Sequence, residues 1–234
     1  YEDDPDMIGT VIGSTEVCAY AFDQNFRLLS KQKNIAKDED IKAVRFLGDM
    51  GYVVTYQQRD PLFSIDFSDP EKLKVVDKIE MPGFSGYLHP VKDDLLLGIG
   101  EAEDGNAKIS LYDITDNHKL SIYDEKEIDH IKYNNVLEDY RKIFIDEENN
   151  IAGFGGTDYG DSDDEKEENR EQNYYVLYHY DRDGKLQQIG EYPVKKEYRG
   201  FINQKFIGMR IGTWFYVIPE ATSRQDDMEI VPYF

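Results

Sequence analysis

One local pattern recurs along this chain of 234 residues: an apolar strand runs into an aspartate, a short polar turn follows, and a second apolar strand leaves it. It reads AYAFD-QN-FRLL around Asp23 and FSIDFSDPEKLKVV around Asp66. It reads SLYDITDNHKLSIY around Asp113 and LYHYDRDGKLQQIG around Asp181. The intervals are 43, 47 and 68 residues, and the long one contains an acidic insertion. A further step of similar size reaches Asp226-Asp227, ahead of the final apolar run MEIVPYF. Strands repeating every ~40–50 residues are what a β-propeller blade or a similar repeat produces.

The intervening sequence fills out each repeat as a meander. AVRFL leads through a turn at Gly48-Asp49-Met50-Gly51 into YVVTYQ, then LFSIDF, the turn SDPEK, and LKVVDKIEM. The next unit repeats this order with GYLHPV, LLLGIG, AKISLYDI and LSIYDEKEI. Hairpin follows hairpin with no crossover helix, and the only helical candidate, near residues 126–140, reads equally well as a loop. The expected fold is therefore all-β: a single β-propeller domain of four-stranded antiparallel blades over residues 1–234. Its units fall at about 7–35, 41–81, 84–128, 140–193 and 198–234, with the acidic insertion at 157–173. The first unit lacks an innermost strand and the last an outermost one. Two arrangements stay open: a ring closed by the N-terminal strand, or a fragment of a larger propeller.

Composition narrows the partners. A net charge of −21 repels phosphate backbones and favours basic or cationic partners, so nucleic acid is not expected. No apolar run is long enough for a membrane helix, so no membrane insertion is expected in this chain, and the acidic start YEDDPD is unlike a signal peptide. The single cysteine, Cys18, excludes an intrachain disulfide and reads as a small buried hydrophobe in the strand EVCAYAF.

The stretch from VRFLGDMGYVVTY through DPLFSIDFSDPEKLKVV, PGFSGYLHP and LLLGIG to KISLYDITD resembles the secreted bacterial β-propeller domain family, a C-terminal propeller domain distantly related to WD-type repeats. The similarity covers residues 25–155 well and fades towards residue 234. It implies a propeller, an extracytoplasmic (secreted or cell-surface) location, extra sequence upstream, and no established enzymatic activity. Members continue the fourth unit with an Asp-His-Lys sequence, where this chain reads Asp139-Tyr140-Arg141.

Several residues are candidates for chemistry. Asp161, Asp163 and Asp164 lie in an insertion dense in carboxylates, and Asp at alternate positions of a loop can ligate calcium. The run lacks the EF-hand register and reads chiefly as a solvated loop. His89, in the motif YLHP, is a candidate for ligand contact or for a structural bond. His118 and His130 read as exposed, and no two histidines have a zinc-ligand spacing. Trp214, with Phe215 and Tyr216, is either a platform for a sugar or peptide or part of the core. The recurring Asp66 and Asp113, with Asp69 and Asp116, read as turn formers that accept backbone N–H bonds. No serine-hydrolase elbow or phosphate loop is present, and no catalytic residue is assigned. The expected role is a non-enzymatic module that binds a protein or glycan through loops on one rim. The alternatives are a polysaccharide- or peptide-acting hydrolase or lyase with carboxylates near the axis, and a structural spacer.

Overall fold

Runs such as YVVTY, LLLGIG and IAGFGGT are apolar at consecutive positions, which suits strands covered on both faces. A computed structural model describes residues 15–56, 60–92, 94–115, 119–159, 172–194, 206–219 and 229–232. In it each of these runs is the second strand of an antiparallel sheet. Among the described residues five sheets follow one another along the chain. The first pairs β1 (Glu16–Phe22) with β2 (Leu28–Lys37). The second is the meander β3 (Asp40–Leu47), β4 (Met50–Tyr56), β5 (Asp60–Asp66) and β6 (Lys74–Met81). The third repeats it with β7 (Phe84–Val91), β8 (Leu95–Glu101), β9 (Ala107–Asp113) and β10 (Ser121–Ile128).

In the fourth sheet the first-strand position is split. β11 (Tyr133–Asn134) and β12 (Phe144–Asp146) both pair with β13 (Ile151–Asp158), which continues into β14 (Gln172–Asp181) and β15 (Lys185–Val194). Between β11 and β12 the chain leaves the sheet as α1 (Asn135–Glu138) and a 3-10 turn (Tyr140–Lys142). The helical candidate at 126–140 thus resolves into strand up to Ile128 and a single helical turn at Asn135–Glu138. The fifth sheet is β16 (Phe206–Ile211), β17 (Trp214–Pro219) and β18 (Glu229–Pro232).

The core is not one nucleus but four layers, each sandwiched between consecutive sheets. Val17, Ile35 and Ala36 of the first sheet meet Val53, Phe63 and Ile65 of the second. Met50, Tyr52, Val54 and Leu62 meet Leu88, Leu96 and Tyr112 of the third. Leu97, Ile99, Ile109 and Leu111 meet Phe154, Val176, Tyr178 and Tyr180 of the fourth. Tyr175 and Leu177 meet Phe206, Phe215 and Val217 of the fifth. Small sheets that bury both faces against neighbours in this way form a propeller, as the repeat requires. Among the described residues no strand pairing joins the first sheet to the fifth.

The recurring aspartates act as turn formers. Asp23, Asp66 and Asp113 each accept the backbone N–H two residues on, at 2.8, 2.8 and 2.9 Å, and Asp181 accepts that of Gly184. Asp69 accepts from Glu71 at 3.0 Å, while Asp116 lies outside the described residues. A second repeat was hidden in the outer strands. Asp77 Oδ2 accepts the N–H of Leu120 in the following sheet at 2.9 Å, and Asp124 Oδ2 accepts that of Leu186 at 3.0 Å. Each carboxylate clips one sheet to the next.

Candidate functional site at the axial mouth

β3 runs beside β7 and β12 beside β16, and the 3.4 Å approach of His89 to Glu147 links the two pairs, so residues near the C-terminal ends of these four strands gather at one mouth. β7 contributes His89, whose imidazole is mostly buried. Its Nδ1 lies 3.0 Å from the Tyr87 hydroxyl and its Nε2 lies 3.4 Å from Glu147 Oε1. Glu147 can only accept when ionised, so the pairing puts the ring proton on Nε2 and has Tyr87 donate to Nδ1. Burial pushes the His89 pKa below its ordinary value, partly opposed by the hydrogen bond to Glu147, while the positive charge of Arg45 on β3 pushes it down further. Burial also raises the Tyr87 hydroxyl pKa. His89 is therefore a neutral imidazole at neutral pH, with both ring nitrogens facing side-chain oxygens.

The turn after β12 supplies the carboxylates. Asp146 accepts the N–H groups of Glu148 and Asn149 at 3.1 and 3.2 Å, and its other oxygen accepts from the Asn149 side chain at 2.8 Å. That turn leaves Glu147 and Glu148 projecting into water. Arg210, on β16 of the fifth sheet, donates from Nη1 to Asp146 Oδ2 at 2.5 Å and lies 4.0 Å from Glu148. Two hollows share Arg210 as a wall. One, of about 650 Å³, is bounded by His89, Phe144, Asp146, Glu147 and Glu148. The other, of about 530 Å³, extends outward between the fourth and fifth sheets past Asn149, His179, Gln187 and Thr213. The arrangement can offer a neutral imidazole, an ion-paired guanidinium and two hydrated carboxylates to something lodged across the mouth.

The excursion between β11 and β12 borders the same region. Asn134 caps α1 by accepting from Leu137 N–H at 3.2 Å and ties it to the third sheet through a 3.0 Å bond to the Gly100 carbonyl. Asp139 takes a forked pair of bonds from Arg141 at 2.8 and 3.0 Å, which hold its carboxyl pKa down to about 2. At the position where the resembled family carries histidine, Tyr140 stands exposed. Glycines make room for this excursion. A Cβ on Gly155 would stand 2.8 Å from the Asn135 amide and 2.9 Å from the Phe206 ring. A Cβ on Gly156 would stand 2.7 Å from the Tyr133 carbonyl.

Of the sequence candidates, only His89 lies in this cluster. Trp214 heads β17 with half its surface exposed, so it is not packed in the core, whereas its neighbour Phe215 is wholly buried there. Asp161, Asp163, Asp164 and His118 lie outside the described residues, and among the described residues no group of three or more His, Cys, Asp or Glu could hold a metal ion. His130 is not free at the surface but half-buried, 3.2 Å from Glu191 and edge-on to Tyr174. Cys18 is only partly buried. Sequence reasoning missed Arg45, Asp146, Glu147 and Arg210. The available signal was a charged residue or histidine recurring a few positions before each second strand.

Stacked antiparallel sheets, two of them complete four-stranded meanders, around a common mouth define a β-propeller module. The chain belongs to the Beta propeller domain family, which matches residues 11–210. It is similar to an uncharacterized protein of Methanocaldococcus jannaschii, 39% identical over 136 residues, covering 56% of this chain and 21% of that protein. It is also similar to an uncharacterized protein of Archaeoglobus fulgidus, 42% identical over 109 residues, covering 47% of this chain and 17% of that protein. The chain thus spans about a fifth of the length of these relatives. Both are archaeal, so the bacterial and secreted character implied by the resemblance finds no support in them. Among solved structures, a hypothetical selenium-binding protein from Sulfolobus tokodaii has a TM-score of 0.46 at 12% identity, over 72% of this chain and 44% of that one. An acylaminoacyl peptidase from Pyrococcus horikoshii has a TM-score of 0.46 at 15% identity, over 84% of this chain and 32% of that one. Neither likeness bears on what this chain binds or turns over. No described helix is long and apolar enough to cross a membrane.

Proposed function

We propose that this propeller is a non-enzymatic binding module that takes a basic protein segment or a cationic glycan across its axial mouth. The extracytoplasmic location implied by the resemblance is part of the same proposal. The observation that carries the reading is the pair Glu147 and Glu148, largely in water beside His89 and Arg210, at the lip of a hollow of about 650 Å³. Exposed carboxylates around an open concavity, on a chain of net charge −21, attract cations before contact and lose that attraction in salt. The test is calorimetric titration with a short lysine-rich peptide. Binding that weakens several-fold on replacing both Glu147→Gln and Glu148→Gln, and not on replacing the remote exposed Glu71→Gln, supports the reading. Equal effects of the two changes refute it.

One observation favours the hydrolase or lyase alternative: His89 and the carboxylates of Asp146, Glu147 and Glu148 share one hollow. A general acid, however, needs a carboxyl held in an apolar pocket; water surrounds Glu147 and Glu148 instead, and the buried Asp146 is ion-paired with Arg210. Turnover of a polysaccharide or peptide that disappears with His89→Ala would move the assignment to that class.

A further inference from the structure

The hollow of about 530 Å³ between the fourth and fifth sheets is lined differently from the mouth beside it. Ile151 pairs with His179 across β13 and β14, and His179 with Gln187 across β14 and β15. Directly paired residues share a face of the sheet, so this row lines the hollow together. The floor is aliphatic: Ile151 is 3% exposed, and Ile189 packs against the same core layer. Arg210, Gly212 and Thr213, at the hairpin between β16 and β17, form the facing wall. The strand ends around the hollow are joined by described turns at 147–150, 182–184 and 212–213.

The rim is polar with its charges compensated. Arg210 holds Asp146 through Nη1 at 2.5 Å and the Gly212 carbonyl through Nε at 3.2 Å. His179 Nδ1 lies 3.7 Å from Asp181 Oδ2. The side-chain nitrogen of Asn149 donates to Asp146 at 2.8 Å and that of Gln187 to the Gly184 carbonyl at 3.1 Å. Both amide oxygens are thereby left as acceptors for a backbone N–H. Among the described residues that line the hollow, no Trp, Tyr or Phe ring offers a flat face to a sugar. An aliphatic floor under amide acceptors suits a peptide instead.

We infer that this outer hollow takes an aliphatic side chain of a peptide ligand whose basic residue lies at the Glu147–Glu148 lip. The inference rests on the cation-binding reading of the mouth and narrows it to a peptide with a basic residue and an aliphatic one next to it or two positions away. Arg210 is a wall of both hollows, and Asn149 follows Glu148 directly in the chain, so the two places adjoin. A cavity of roughly 150 Å³ accepts a benzene-sized group. The larger hollow therefore has room for a leucine side chain and the backbone that carries it. Glu147 and Glu148 supply attraction to charge, and Ile151 and Ile189 supply selectivity for what stands beside that charge.

The test compares two capped peptides of equal charge, acetyl-Lys-Leu-Leu-Lys-amide and acetyl-Lys-Ser-Ser-Lys-amide, by calorimetric titration at low salt. The leucine peptide is expected to bind about tenfold more tightly, as partial burial of one aliphatic side chain gives. Thr213→Trp and, separately, Gln187→Trp fill the hollow from exposed positions, and each is expected to reduce that ratio to below about twofold. Equal affinities for the wild-type chain overturn the inference. If both peptides still weaken on replacing Glu147→Gln and Glu148→Gln, the reading of the mouth stands without it. Binding of neither peptide removes both. A preference for leucine that survives both fillings puts the side chain elsewhere and overturns the inference. So does a glucosamine oligomer that binds more tightly than the leucine peptide and is weakened by the fillings, because it gives the hollow to a glycan.

Discussion

Asp113 does two jobs with one carboxylate. It closes its own turn by accepting from the Thr115 backbone and hydroxyl, at 2.9 and 2.6 Å. It also receives Arg182 from the fourth sheet, at 2.8 Å on one oxygen and 3.2 Å on the other. Arg182 in turn lies over the Tyr123 ring, and its carbonyl accepts from the Tyr123 hydroxyl at 2.5 Å. The guanidinium, helped by the turn bonds, holds the Asp113 carboxyl far below the usual carboxylate range. Because its folded-state pKa is depressed, its contribution is complete above the unfolded value of about 4 and is lost as pH falls towards the folded value. Asp113→Asn should cost about 1–2 kcal/mol at neutral pH, given partial exposure of both partners. Urea denaturation of the two proteins across pH should show a constant gap above pH ~5 that narrows in acid. A gap that widens in acid would contradict this account of the latch.

At the scale of elements, the split first strand of the fourth sheet depends on glycine. β13 reads IAGFGGT, and the absence of side chains at Gly155 and Gly156 lets Asn135, Ile131 and Tyr133 press against the strand. Gly156→Ala should destabilise by about 1–3 kcal/mol, because the Tyr133 backbone carbonyl in the way cannot rotate aside. The same urea series measures it, and an unchanged midpoint would mean the excursion does not pack as described. This element marks the limit of what the sequence displays. The meanders were legible because Asp23, Asp66, Asp113 and Asp181 each combine turn chemistry with flanking apolar runs, and both signals are local. The excursion at 135–143 was not legible, since its packing against Gly100, Gly155 and β16 depends on residues far along the chain. The clips from Asp77 and Asp124 were legible in principle, because each aspartate lies four residues after a leucine that repeats from sheet to sheet, Leu73 and Leu120. Trp214 reads as core by its apolar strand, yet it stands half exposed beside the buried Phe215. His89 gave no sign of its partners, because Tyr87 is local but Glu147 and Arg45 come from other sheets.

For the molecule as a whole, the candidate site follows from stacking. No single sheet could assemble a site from Arg45, His89, Asp146 and Arg210, but placing first strands side by side does so without further design. The same stacking leaves Glu147 and Glu148 exposed at the lip of the mouth. The most direct test of this arrangement is chemical coupling across the mouth. In an Arg210→Lys variant the new amine should sit within reach of the Asp146 carboxylate, which Arg210 contacts at 2.5 Å. Carbodiimide treatment followed by peptide mass mapping should give an amide joining position 210 to Asp146, or to its neighbour Glu148. A folded monomeric variant that couples position 210 to neither would contradict the side-by-side stacking of the fourth and fifth sheets.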